Sequence, residues 1–442
     1  MNLTRGAAVL TLVLTTASSA LPQKAQKIDP LDRDRALQMI ADISGDVKKH
    51  YYDSKLHGLD LNARAQEAEQ RIRNAGSMDE ALTIVAWVLD GLNDSHTFFL
   101  PPPRTLRVDY GWQMQLVGDR AFVLAVKAGS DAEAKGLKSG DEIVAINGYP
   151  PVRELFWKMK YLYQLLRPQP ALELQVRSQN VKERTVEVMS RMWEQGHHVV
   201  DFTMGGGGDL WEIVREMENF NEEMRPRSVD MGDKLMILKL RQFMLSDSEV
   251  DNFVGKARGH ATVILDLRGN PGGSVDTLGR MLGNFFNRDI KVADRIGRRS
   301  LKPLEAKSVG KDAFAGKLIV LVDSQSASAA ELFARTVQLE KRGLVLGDRT
   351  AGSVMEAKRY NYKVGMESVV YFGAQITEAD LIMSDGKSLE HSGVVPDEIV
   401  LPTGQDLAEA RDPVLSRAAE IAGVALSPGQ AGKLFPFAWP KE

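Results

Sequence analysis

Apolar positions in the first quarter of the chain recur with the period of a helix. Between residues 31 and 49, Leu37, Ile40, Ile43 and Val47 fall on one face, and a second helical stretch runs from Leu61 to Ala75. A third opens at Ser77, where Glu80 three residues on makes a capping-box pattern, and turns Ala81, Val85, Val88, Leu89 and Leu92 inward. The pattern predicts a helical domain over 28–100, leaving through the polar run Asn93-Asp94-Ser95-His96 and meeting Pro101-Pro102-Pro103. Over 105–192 the period shortens to that of strands, at Ala121 to Val126, Glu142 to Ile146, Leu172 to Val176 and Thr185 to Met189. Asn147-Gly148 is a hairpin-turn pair, and a helical stretch over about Val152 to Leu166 separates the second and third strands. Residues 193–232 read as a linker, with a joint at Gly205 to Gly208 and helix-like residues 209–219. From 233 to 402, strands at Leu235 to Leu240, Thr262 to Leu267, Leu318 to Val322 and Leu344 to Leu346 alternate with helices at 249–256, 275–286 and 329–338. That alternation predicts an α/β layer with crossover connections, followed by a C-terminal extension over 403–442.

Composition narrows the function classes. The 442 residues carry 56 basic and 59 acidic side chains, a net charge of −3, so no basic surface calls for nucleic acid or an anionic membrane. Cysteine is absent, which removes thiol nucleophiles, disulfides, thiolate metal sites and lipobox acylation. The adjacent His197-His198 suit no common metal-ligand spacing, and Gly205 to Gly208 lack the Lys-Ser/Thr of a phosphate loop. No metal, cofactor or nucleotide is therefore expected. Residues 1–20 have the form of an export signal: Arg5, an apolar run from Ala7 to Leu14, and small residues Ser18 and Ala20 before Leu21. That run is too short to span a bilayer, and no later stretch is long and apolar enough, so an exported, periplasmic or secreted protein without a stable membrane span is expected.

Four segments carry candidate chemistry. Ser328 lies between an apolar strand and a helix in Asp323-Ser-Gln-Ser-Ala-Ser328-Ala-Ala-Glu331, where free N–H groups and the helix dipole favour a developing oxyanion. The same Ser328-x-x-Glu331 spacing also reads as a plain helix cap. Asp266-Leu-Arg-Gly-Asn-Pro-Gly272-Gly273 follows another apolar strand; consecutive glycines there form either an anion nest or a simple strand-to-helix turn. Ser95-His96 and Glu390-His-Ser-Gly-Val-Val-Pro-Asp397 complete the set, since a serine nucleophile needs a base and the base an orienting partner.

Taken in order, these motifs with Gly347-x-x-Thr350-x-Gly352 resemble the C-terminal-processing, or tail-specific, serine peptidases over about residues 30–400. The resemblance implies an α/β fold: a crotonase-like ββα superhelix over 233–402, an inserted PDZ-like peptide-binding domain over 105–192, and the N-terminal helical domain. Gly136-Leu-Lys-Ser-Gly140-Asp141-Glu-Ile-Val-Ala-Ile-Asn147-Gly148 is the PDZ-like signature, and Gly111-Trp112-Gln113-Met114 matches the loop that holds a peptide's terminal carboxylate, with Gln113 in place of its second glycine. One departure alters the mechanism. Where processing peptidases carry the lysine of a Ser/Lys dyad, this chain has Ser353, and Lys358 lies five residues on. The sequence resembles instead the tricorn-core branch, which implies a Ser328 nucleophile, a His96 base, Ser95 and Glu390 behind it, and backbone N–H groups of Gly272 or Gly273 and of Ala329 as the oxyanion hole. Polypeptides are the implied substrates. Two other readings remain at this stage: an inactive PDZ-bearing scaffold that binds exported peptides, and a Ser/Lys peptidase that recruits Lys358.

Overall fold

The computed structural model describes residues 28–103, 106–178, 182–194, 224–366 and 369–439. The export signal, the Gly205 to Gly208 joint, the 209–219 stretch and the His197-His198 pair lie outside the described residues.

Three α-helices come first among the described residues: α1 (Pro30–His50), α2 (Leu61–Asn74) and α3 (Met78–Asp90). Asp29 caps α1 by accepting the Asp32 N–H, with Pro30 at the first helical position where its missing N–H costs nothing. Only half of the Ser77 capping box forms. Ser77 accepts from the Glu80 N–H at 3.2 Å, while the Glu80 carboxylate reaches one residue further back, to the Gly76 N–H at 2.9 Å. The chain then enters β1 (Phe98–Leu100), which pairs antiparallel with residues 373–375.

The next stretch holds β2 (Leu106–Asp109), β3 (Trp112–Val117), β4 (Arg120–Val126), the short α4 (Asp131–Ala134) and β5 (Glu142–Ile146). It continues with α5 (Arg153–Lys160), a π-helical turn over Tyr161–Leu166, β6 (Ala171–Arg177), β7 (Arg184–Met189) and β8 (Arg191–Glu194). Strands β3 to β7 form one antiparallel sheet in chain order, with β3 at its edge. Asn147 and Gly148 both sit at positive φ, 49° and 80°, as a two-residue hairpin turn requires. The turn closes only an Ile146–Tyr149 bridge and hands the chain to α5 rather than to a second strand.

The remainder comprises β9 (Arg227–Asp230), β10 (Leu235–Lys239), α6 (Asp247–Gly255), β11 (Thr262–Asp266), α7 (Val275–Gly283), β12 (Ile290–Gly297) and β13 (Leu304–Ala306). After these come β14 (Lys317–Val322), α8 (Ala329–Leu339), β15 (Gly343–Gly347), β16 (Met355–Val364), β17 (Val370–Met383) and β18 (Glu398–Ile399). A six-stranded sheet runs β18-β15-β14-β11-β10-β9, parallel except for β9. Its central strands are buried along their length, as in a parallel sheet covered on both faces. One face packs under α6, α7 and α8. The short α9 (Gly404–Ala408) lies against β4, and the other sheet face packs under α10 (Pro413–Ile421) and α11 (Pro428–Gly432), where Val414, Leu415, Ala418 and Ala419 meet Ile237, Ile264, Ile319 and Leu346. The segment read as an extension is thus a structural layer.

A second sheet, β1-β17-β12-β13 with β16 on β17, has no counterpart among the strands expected from sequence. It fuses the parts. Phe372, Ala374 and Ile376 of β17 share one apolar cluster with Met39 and Ile43 of α1 and with Val123 and Leu174 of the 105–192 module. The boundaries near 100 and 105 therefore cross a continuous core.

Candidate active site

Ser328 stands where β14 has ended and α8 has not begun. Its backbone is held at φ 55°, ψ −118°, a region a serine occupies at a cost of about 1–3 kcal/mol and only when its surroundings fix it. Several contacts do so. The Ser328 N–H donates to the Ser353 carbonyl at 2.9 Å and to the Glu331 carboxylate at 3.0 Å, and the Ala327 N–H to the Asn270 carbonyl at 2.9 Å. Gly272 closes the other side, since a Cβ on it would lie 2.6 Å from the Ser328 Cβ. The Glu331 N–H returns to the Ser328 backbone carbonyl at 2.9 Å, and the Ser328 side chain makes no cap hydrogen bond.

Glu331 is the residue sequence reasoning undervalued by reading it as a cap. Its carboxylate is wholly buried and accepts from the Thr350 hydroxyl at 2.5 Å and from the N–H groups of Gly352 at 2.8 Å, Ser353 at 2.9 Å and Ser328 at 3.0 Å. Burial pushes it up to about 7 against the pull of those donors. Ser353 serves as a backbone strut in this ring.

The glycine loop has a division of labour. The Gly272 N–H is spent on Asn270 Oδ1 at 2.8 Å, so of the two candidate glycines Gly273 alone keeps a free N–H. Neither the Gly273 nor the Ala329 N–H has an acceptor among the described residues. Gly273 is required sterically, because a Cβ there would lie 2.3 Å from the Phe243 carbonyl. The loop is braced by Arg268, which donates to Asp266 at 2.8 Å and 2.9 Å and to Asp412 at 2.7 Å and 2.9 Å; Asp412 also caps α10. Arg268 and Lys239 hold the fully buried Asp266 far below the usual carboxylate range despite its burial.

His96 sits in the turn after α3. Asp94 Oδ1 accepts the N–H groups of His96 at 2.9 Å and Thr97 at 2.6 Å and the Thr377 hydroxyl at 3.0 Å, which pins the turn to β17. Ser95 Oγ lies 2.8 Å from His96 Nδ1 and donates to Glu390 Oε2 at 2.9 Å; the Ser95 N–H reaches Glu390 Oε1 at 2.7 Å. Glu390 Oε2 also accepts the Val354 N–H at 2.8 Å. Burial raises Glu390 above its ordinary value, and burial lowers His96 against the opposing charge of Asp94. Glu390 is thus brought to the adjacent Ser95 and His96 although 295 positions separate it from Ser95 along the chain. Ser328 joins them through adjacent residues: its N–H goes to the Ser353 carbonyl, and the next N–H, of Val354, goes to Glu390. No hydrogen bond links Ser328 directly to His96 among the described residues, and His96 Nε2 carries none.

Lys358 is exposed on β16 with its ammonium 5.6 Å from the Tyr360 ring. Lys358→Ala is expected to leave kcat/KM within about two-fold of the parent in a peptide-hydrolysis assay, since an exposed side chain whose contact is a surface ring contributes little. Loss of activity there would restore the Ser/Lys reading.

The 105–192 module is tied to the same loops. Gln115 of β3 donates to Asp323 at 2.8 Å, the Ser324 hydroxyl to the Leu116 carbonyl at 2.6 Å, and Arg153 to the Arg349 carbonyl at 2.8 Å and Asp348 at 3.2 Å. Asp323 in turn accepts the N–H groups of Gly269, Gln325 and Ser326. The loop Gly111-Trp112-Gln113-Met114 lies at the edge of this module, and its Gly111 N–H already donates to Asp109 at 2.7 Å. Among the described residues, no group of His, Asp or Glu is arranged to hold a metal.

Residues 234–400 match the model of peptidase family S41. The carboxyl-terminal-processing protease of Picosynechococcus sp. is 23% identical over 337 residues, covering 73% of either chain. A probable CtpA-like serine protease of Staphylococcus aureus is 25% identical over 296 residues, which span 66% of this chain and 52% of that protein's length. The fold is that of mature CPAF, with a TM-score of 0.63 at 17% identity over 86% of this chain and 94% of that one. Through residues 234–400 the chain stands with peptidase family S41 as a homologue of the carboxyl-terminal-processing proteases, and it is a serine-type peptidase, a hydrolase.

Proposed function

We propose that the chain is an exported endopeptidase of the tricorn-core-like branch that uses Ser328, His96, Ser95 and Glu390. The observation that carries this reading is the bridge of Ser95 between His96 Nδ1 at 2.8 Å and Glu390 at 2.9 Å. Ser95 gives its own proton to Glu390, so it accepts from Nδ1–H, and that tautomer leaves Nε2 as the acceptor for the Ser328 proton. As Ser328 Oγ attacks a peptide carbonyl, the proton passes to Nε2, and the positive charge on the imidazole is balanced through Ser95 by Glu390. The Gly273 and Ala329 N–H groups take the oxyanion at the positive end of α8. The tetrahedral intermediate collapses when His96 returns the proton to the departing amine, and water repeats the sequence on the acyl-enzyme. The 105–192 module, PDZ-like in its five-stranded sheet and in the Gly136 to Gly148 signature, feeds polypeptide substrate toward Ser328. The inactive-scaffold reading leaves the free Gly273 and Ala329 donors and the strained serine without a purpose.

A fluorophosphonate probe tests this by labelling rate at Ser328, mapped by mass spectrometry, as a function of pH. Labelling needs neutral His96, and burial lowers that group, so its limb falls as pH drops and lies on the acid side of 6.5. A separate limb near 7 belongs to Glu331. Glu390→Gln removes the counter-charge of the imidazolium and moves the His96 limb further to acid without moving the Glu331 limb. No labelling at any pH would leave the scaffold reading in possession.

A further inference from the structure

Leu389 to Ser392 form a tight turn closed by the Ser392 N–H to the Leu389 carbonyl at 3.1 Å, and Glu390 and His391 are its two central residues. His391 is held at φ 61°, a left-handed conformation that suits glycine or asparagine at the third position of a turn and is uncommon for other side chains. The turn is docked on the nucleophile's side of the site. The His391 N–H donates to the Gly352 carbonyl at 2.8 Å, while the Gly352 N–H goes to Glu331, which holds Ser328. A Cβ on Gly352 would lie 3.0 Å from the His391 carbonyl carbon, so the two segments are in direct contact.

From this base both central side chains reach across to the turn that carries His96. Glu390 takes the Ser95 N–H and hydroxyl, and His391 Nε2 lies 2.9 Å from the Asn93 carbonyl. A carbonyl only accepts, so Nε2 carries the hydrogen and donates it. Asn93 is itself at φ 51°, and the bond therefore grips the backbone where the chain bends after α3. Asp94 pins the same turn to β17 through Thr377, whereas Glu390 and His391 tie it to the segment around Ser328. The two ties differ in kind. The bonds to Glu390 strengthen as the imidazole behind Ser95 becomes charged, while the bond from His391 to Asn93 lies outside that relay and keeps one geometry as the proton moves.

We infer that His391 is a positioning residue of this peptidase: its Nε2–H holds Asn93, and through Asn93 it fixes Ser95 and His96 against the loops that carry Ser328. The inference rests on the reading of His96 as the base with Ser95 and Glu390 behind it. The His391 side chain is 58% exposed, so its bond adds little to folding, and its loss is read in turnover rather than in melting. His391 Nε2 also stands 3.8 Å from Glu390 Oε1, which makes a charge effect on that carboxylate the rival explanation.

Four variants of the full chain are compared on one peptide reporter: His391→Ala, His391→Phe, His391→Gln and His96→Ala. The alanine and phenylalanine variants at 391 are expected to lower kcat about ten-fold with KM within about two-fold of the parent, since orientation of the base is lost and substrate contacts are kept. His391→Gln, whose amide NH2 donates to the Asn93 carbonyl without carrying charge, recovers kcat to within about three-fold of the parent. Strain at φ 61° is alike in alanine, phenylalanine and glutamine, so it cancels in that comparison. Undiminished kcat in His391→Ala beside an inactive His96→Ala overturns the role of His391 and leaves the catalytic set standing. Equal loss in the alanine and glutamine variants overturns it in favour of the charge effect, and a rise in KM in place of a fall in kcat overturns it in favour of substrate contact. An active His96→Ala overturns the catalytic set, and the positioning of His96 falls with it.

Discussion

Ser328→Ala and His96→Ala will each lower kcat/KM on a peptide reporter by a similar factor, about 10⁴–10⁶, and the double variant will be little worse than either. The equality follows from their acting as one unit: without the base the hydroxyl is a poor nucleophile, and without the hydroxyl the base has no proton to take. The residual rate comes from the Gly273 and Ala329 donors and from substrate binding, which neither change removes. Both proteins should melt close to the parent. The Glu331 N–H donates to the Ser328 backbone carbonyl, and the strained backbone is held by N–H contacts, all of which alanine retains. The His96 turn is pinned by Asp94 through backbone N–H groups rather than through the imidazole. Steady-state hydrolysis and thermal melting on one preparation decide the matter. A His96→Ala protein that keeps its activity would remove His96 from the base position.

How much of this was legible beforehand depended on how far apart the interacting residues lie. The centre of the parallel layer was readable because β10, β11 and β14 are buried apolar runs, each followed by its own crossover helix, as at Leu318–Val322 before α8. The β1-β17-β12-β13 sheet was not. Phe98 to Leu100 find their partners at 373–375, and the buried Gly373 and Thr377 interrupt the apolar alternation along β17. The C-terminal helices passed for an extension because two of them have five residues and one has nine, too short to stand out against glycine and proline. At the site, the motif resemblance named Ser95, His96 and Glu390, and the 295-residue closure between them is a tertiary fact that spacing does not contain. Which N–H groups stay free is likewise invisible in a motif. Gly272 and Gly273 look alike in sequence until Asn270 takes the first and leaves the second.

Glu331→Gln tests whether that tertiary closure extends to the nucleophile. The carboxylate meets four donors with two oxygens: Thr350 and Gly352 on one, Ser328 and Ser353 on the other. An amide offers one oxygen and turns an NH2 group against two of those donors, so two buried N–H or O–H groups lose their acceptor. Each such loss costs about 1–3 kcal/mol, comparable to the strain stored at Ser328. The backbone of Ser328 then relaxes from φ 55°, and the hydroxyl loses its fixed position ahead of α8. We expect kcat to fall by about 10²-fold or more, with fluorophosphonate labelling falling alongside and the melting temperature dropping. The pH dependence of stability gives an independent readout. Because Glu331 sits near 7 in the folded chain and near 4.3 when unfolded, folding retains a proton between those values. Its contribution to stability is therefore complete below about 4.3 and is lost as pH rises toward 7. Glutamine cannot titrate, so that slope disappears from the variant's melting curve. A variant that melts lower but labels at the parental rate would mean that Glu331 is a helix cap and nothing more.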